Sequence, residues 1–248
     1  MRMLPLLLAA AAFSTPARAK EDACEELVRL NSTRLENSAL MDLQTQFHAY
    51  RFTRMFLDPL SANPKFGPGW REGNPFWEEA YALLHPDILA HLRAAGAQEL
   101  RYQEAKLPGK LQAKTCREYL ALLRTPHGEV AARIDQAMGS RKFLADLEKQ
   151  FPIPARLAPF VQETRDEIAE GAALEGSPEV KKQQALHQKT RAQLRAYDER
   201  VAAVSKKLEG ARGAKEQEAS RQFGQELTKR HEERLVSIFR RFAGANTR

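Results

Sequence analysis

Two cysteines, thirteen glycines and thirteen prolines are few for a chain of 248 residues, which excludes collagen-like and disulfide-framework miniprotein architectures. No apolar run reaches the roughly 20 residues that a membrane-spanning helix needs, so a multi-span membrane protein is excluded as well. Strand-like alternation of apolar and polar residues is missing throughout. So are Gly-x-Ser-x-Gly, a glycine-rich phosphate loop, His-Glu-x-x-His and any His/Cys cluster at zinc spacing. The chain therefore reads as a non-enzyme without a cofactor. What is abundant is Ala, Leu, Glu, Lys, Arg and Gln, the strongest helix formers, and the expected class is all-α.

The one concentrated apolar stretch lies at the start. Arg2 gives a positive end, Met3 to Phe13 is apolar apart from Pro5, and Ala17-Arg18-Ala19 is a small-x-small cleavage site. This pattern predicts a bacterial signal peptide cut near Ala19 and a periplasmic or secreted protein. Two cysteines in an oxidising compartment have only one way to pair, so a Cys24–Cys116 disulfide is expected.

Apolar residues at helical spacing (Cys24, Val28, Leu35, Leu43, Phe47, Tyr50) predict one long helix from about 23 to 57, ended by Asp58-Pro59. A Pro/Gly-punctuated loop follows over 58–75. It carries Phe66 and Trp70 and leads into Phe76 and Trp77, which either pack as the loop's own core or line a contact for an apolar partner. Asn74-Pro75 restarts a helix that His85-Pro86 should break, and a short helix should then end at Gly96. Helices are expected over 97–107, 110–124, from Thr125-Pro126 onward, near 141–150 and near 155–173. Ser177-Pro178 opens a last region, 177–243, where apolar residues at 3-4 spacing predict an antiparallel coiled-coil-like hairpin. The domain plan is thus a leader (1–19), a helical domain (20–176), the hairpin and a 244–248 tail.

Residues 117–130, with Thr125-Pro126-His127-Gly128-Glu129 at their centre, resemble the Phe-Tyr-x-Ser/Thr-Pro-x-Gly signature of a bacterial family of exported, all-helical proteins with a domain of unknown function. Leu122-Leu123 stand where that family has Phe-Tyr, and the resemblance extends over roughly 98–175. It implies an exported helical fold and no established activity.

Charge divides unevenly. Residues 179–248 hold 17 Lys/Arg against 9 Asp/Glu, so the basic excess sits in the C-terminal third. Such asymmetry suggests an anionic partner. Export argues against nucleic acid and leaves an envelope component, an anionic membrane surface or a protein partner. The expected contact is formed by Lys181, Lys182, Arg191, Arg195, Lys206, Lys207, Arg240 and Arg241. The best metal candidate is His85, Asp87 and His91, with Asp87 and His91 one helical turn apart. Three functions compete. The leading one is a non-catalytic envelope-accessory binding protein; the alternatives are a chaperone-like coiled-coil adaptor and a metal-dependent hydrolase.

Overall fold

The computed structural model describes residues 16–64, 66–210 and 213–245. Most of the expected leader and of the 244–248 tail lies outside the described residues. Among those described there are nine α-helices and no strand: α1 (Pro16–Glu36), α2 (Ala39–Leu57), α3 (Pro75–Lys106), α4 (Ala113–Leu123), α5 (Pro126–Gln150), α6 (Ala158–Gly176), α7 (Pro178–Lys182), α8 (Gln184–Gly210) and α9 (Gly213–Ala245). The class is all-α.

Three helix starts follow the cap-plus-proline logic of the sequence. Asn74 Oδ1 accepts from the Phe76 N–H, Thr125 Oγ1 from Gly128 and Ser177 Oγ from Val180, each satisfying a donor that the first helical turn leaves open. Other boundaries differ from expectation. The helix expected from 23 to 57 is divided at Asn37, because Ser38 caps α2 by accepting from the Met41 N–H and the Ala39 N–H donates to Glu167 of α6. Pro86 and Gly96 do not break α3, which runs through both. A proline inside a helix costs about 3 kcal/mol, and here Trp77, Ala80, Tyr81, Leu84 and Ile88 bury one face of the helix around it. That packing outweighs the local penalty. Likewise α5 continues through 139–141 to Gln150.

The chain divides into two compact units. The first comprises residues up to Asn37, Leu100–Arg141 and Ile168–Leu208. Its core is Cys24, Leu27 and Val28 of α1, Tyr119, Leu120 and Leu123 of α4, Ala131 of α5 and Leu194 of α8. Cys24 and Cys116 are joined as expected, with 5.1 Å between their Cα atoms across 92 residues. Closing a loop of that length contributes about 4 kcal/mol in the chain-entropy model. Gly171 of α6 lies so close to α5 that a Cβ there would fall 2.1 Å from that of Ala137.

The second unit comprises Ser38–Glu99, Lys142–Glu167 and Glu209–Arg248. Leu43, Phe47, Ala49 and Leu57 of α2, Trp77, Leu84 and Ile88 of α3, Leu144 and Leu147 of α5, and Leu227, Ile238 and Phe242 of α9 are buried in it. The apolar lines of the C-terminal helices are thus each buried within a unit: His187, Thr190 and Leu194 in the first, Leu227, Ile238 and Phe242 in the second.

Candidate binding surfaces

The eight basic residues expected to meet an anionic partner are not equivalent. Arg191 pairs with Asp135 at 2.9 Å and Glu175 at 2.7 Å, Arg195 with Asp135 at 2.7 Å and Arg241 with Glu79 at 2.6 Å. Their charge is spent within the fold. Lys181, Lys182, Lys206, Lys207 and Arg240 are exposed. The first four belong to the first unit and Arg240 to the second. Lys181 and Lys182 end α7, whereas Lys206 and Lys207 lie near the far end of α8, about 33 Å of helix from Gln184 at 1.5 Å per residue, so the four do not form one cluster.

Helical phase adds two cations that charge counting missed. Lys189, Arg200 and Lys207 are all exposed and separated by 11 and 7 residues along α8, close to whole turns of a 3.6-residue helix. Gln193, Ala196 and Ala203 fill the same line, which carries no carboxylate. It lies well around the helix from buried His187, Thr190 and Leu194. The signal was present in the sequence as the complement of the apolar line.

The aromatic loop packs. Trp70 and Trp77 are 1% and 0% exposed. Phe66 stacks on Phe242 with ring centres 5.7 Å apart, Trp70 meets Phe239 and Phe242 at 5.3 and 5.1 Å, and Phe76 meets Phe242 at 5.9 Å. The Trp70 indole N–H donates to the Leu57 carbonyl at 2.9 Å. Gly67 and Gly73 allow the turns of the loop, with φ of 61° and 88°, where residues with a Cβ are strained.

His85, Asp87 and His91 are not brought together. His85 Nδ1 lies 3.2 Å from Thr53 Oγ1 and its ring stacks on Tyr81; Asp87 pairs with Arg230 at 2.8 Å and His231 at 2.9 Å; His91 stacks on Phe223 at 3.7 Å. Burial lowers the pKa of both His85 and His91, with Arg156 acting further on His85. Hydrogen bonds from His231 and Arg230 hold the Asp87 carboxyl below the usual range. No group of three His, Cys, Asp or Glu placed to hold a metal occurs among the described residues.

Sequence reading missed the polar centre of the second unit. Arg156, from the segment before α6, lays its guanidinium 4.1 Å from the Tyr81 ring centre, 5.5 Å from that of Trp77 and 5.8 Å from that of Tyr50. It also pairs with Glu72 at 2.7 Å and Glu78 at 3.2 Å. Glu72 accepts from the Tyr50 hydroxyl at 2.8 Å, and Arg54 donates to that hydroxyl at 2.9 Å while pairing with Asp58 at 2.6 Å. Burial pushes the Tyr81 phenol up to about 12. No local motif announces this network, because its members are assembled from α2, the aromatic loop, α3 and the α5–α6 connection.

Beside it lies an open groove of about 520 Å³, lined by Phe47, Arg51, Met55, Pro59, Phe151 and Pro152 among others. A second hollow of about 370 Å³ shares Phe151 and Pro152 and continues over Ile153, Pro154 and Val161. Arg51 lies over the Phe47 and Phe151 rings at 5.7 and 5.0 Å. No carboxylate among the described residues pairs with it. No protein-family model, curated protein or solved structure matches this chain.

Proposed function

We propose that this is an exported, non-catalytic binding protein of the bacterial envelope that meets an anionic partner, foremost a phospholipid surface, through the exposed cations of α7 and α8. The observation that carries the reading is the carboxylate-free line of Lys189, Arg200 and Lys207, with Lys181 and Lys182 beyond its N-terminal end. Cations spaced along a straight helix face can act together on an extended anionic surface, each contributing about 1 kcal/mol. Arg191, Arg195 and Arg241, already neutralised by carboxylates, take no part. Export is supported by Arg2, the Met3 to Phe13 run, Ala17-Arg18-Ala19 and the disulfide, and by the resemblance of 117–130 to an exported helical family.

Co-sedimentation with neutral and anionic liposomes at two salt concentrations tests it. Wild-type protein is expected to bind anionic vesicles and to release as salt screens the charges. Lys189→Gln/Arg200→Gln/Lys207→Gln should weaken binding by about tenfold or more and flatten its salt dependence. Binding that is unchanged in this variant, or absent in the wild type, refutes the proposal.

A further inference from the structure

We infer that the groove over Phe47, Met55, Phe151 and Pro152 binds a free single-chain carboxylate, its headgroup on Arg51 and its hydrocarbon chain along the apolar floor. At about 520 Å³ the groove falls within the roughly 300–1,000 Å³ of small-molecule sites. Its floor offers rings, a thioether and pyrrolidines, and Met55 is 68% exposed, so this apolar side chain has no cover in the fold. An exposed methionine beside phenylalanines is an adaptable apolar surface, suited to a flexible chain.

Charge complementarity fixes the headgroup. Arg54 and Arg165, also at the rims of the two hollows, are taken up by Asp58 at 2.6 Å and Glu148 at 2.7 Å. Arg51 is held in place by Phe47 and Phe151 but has no carboxylate partner among the described residues. One unneutralised guanidinium, a planar fork of donors, matches one carboxylate. A bound acid would complete at Arg51 the pairing that Asp58 and Glu148 supply to its neighbours.

Backbone chemistry argues for an acyl chain over a peptide. A peptide brings amides that need partners when they leave water. The α2 side of the groove is helix whose backbone is already bonded. On the other side Pro152 and Pro154 have no N–H and Phe151 gives its own to the Leu147 carbonyl at 2.9 Å, so of residues 151–154 Ile153 alone has a backbone N–H to offer a peptide. A hydrocarbon chain asks for none of these bonds.

The test is isothermal titration of the oxidised protein with monomeric dodecanoate, with dodecanol and an apolar hexapeptide bearing a free C-terminal carboxylate run alongside. Dodecanoate should bind the wild type. Arg51→Gln should weaken it about tenfold and bring it level with dodecanol. Met55→Glu, at an exposed position that leaves the core intact, should abolish binding of both. Lys189→Gln/Arg200→Gln/Lys207→Gln should bind dodecanoate as the wild type does, so loss of vesicle binding and loss of acid binding report separately on the two readings. The inference is overturned if dodecanoate does not bind, if binding survives both Arg51→Gln and Met55→Glu, or if the hexapeptide binds in preference to the acid.

Discussion

Arg156 combines what single residues do in this protein: it packs with its plane and pairs with its charge. At 26% side-chain exposure it is neither a solvent-screened ion pair nor a fully desolvated one. Removing one partner of a buried pair costs about 3–5 kcal/mol, and exposed pairs are worth about 0–1. Three rings within 6 Å of the guanidinium carbon add a contribution that an exposed pair lacks. Arg156→Ala is therefore expected to lower the unfolding free energy by about 2 kcal/mol. Arg156→Lys should recover only part of that, since an ammonium keeps the charge but cannot lie flat on Tyr81 while bonding Glu72 and Glu78. Urea unfolding of the three proteins measures this. Equal stability of Arg156→Ala and wild type would show that the network is surface decoration.

Among the elements, α5 sets the sharpest contrast between two glycines on one packed pair. A Cβ at Gly171 would stand 2.1 Å from the Ala137 Cβ, whereas one at Gly139 would meet nothing within 4 Å. Gly171→Ala should cost about 1–3 kcal/mol by forcing α5 and α6 apart. Gly139→Ala, inside the same α5, should stabilise by up to about 1 kcal/mol through helix propensity alone. Opposite shifts in thermal midpoint are the expected result. The same distinction between local and packed causes explains what the sequence revealed. Asn74-Pro75, Thr125-Pro126 and Ser177-Pro178 carry their signal within four residues, so those helix starts were legible. The pairing of Cys24 with Cys116 was legible because only one connectivity exists. Pro86 and Gly96 misled because their penalties are local while the burial of Trp77, Tyr81 and Ile88 is not. Ser38 was passed over because the apolar spacing runs on across it. Arg156 and the groove had no local signal: Arg156 finds Tyr81 and Glu72, and Phe151 finds Phe47, across 75 to 104 positions of sequence. The cations of α8 were legible in number, while their division into spent and exposed depends on Asp135 and Glu175.

Stability of the whole molecule should depend on pH through histidines held neutral by the fold. His48, His85 and His91 in the second unit and His187 in the first all have pKa values lowered by burial, with Arg51 adding to the effect at His48, Arg156 at His85 and His127 at His187. His187 is 5% exposed and its Nδ1 has no hydrogen-bond partner among the described residues, so a proton gained there would be poorly solvated. In the unfolded chain these rings take up protons near pH 6.5. In the folded chain they resist until the pH is lower still. Between those points the unfolded state binds more protons, so stability is complete above about pH 6.5 and falls as the pH drops through the folded values. Asp87, lowered by its bonds to His231 and Arg230, adds a loss in the same direction at more acid pH. Asp198, raised chiefly by burial, opposes it, because the fold favours its protonated form. That opposing gain starts at the raised folded value, where the fold takes up the proton first, and is complete in the ordinary carboxylate range; it sets one carboxyl against four histidines. The thermal midpoint, followed by circular dichroism, is therefore expected to be flat from pH 8 to 7 and to decline between about pH 6.5 and 5. His187→Gln should make that decline shallower by removing one of the four contributions. A midpoint that holds steady or rises from pH 6.5 to 5 would mean that these rings gain protons as readily folded as unfolded, and that their burial does not act on their charge.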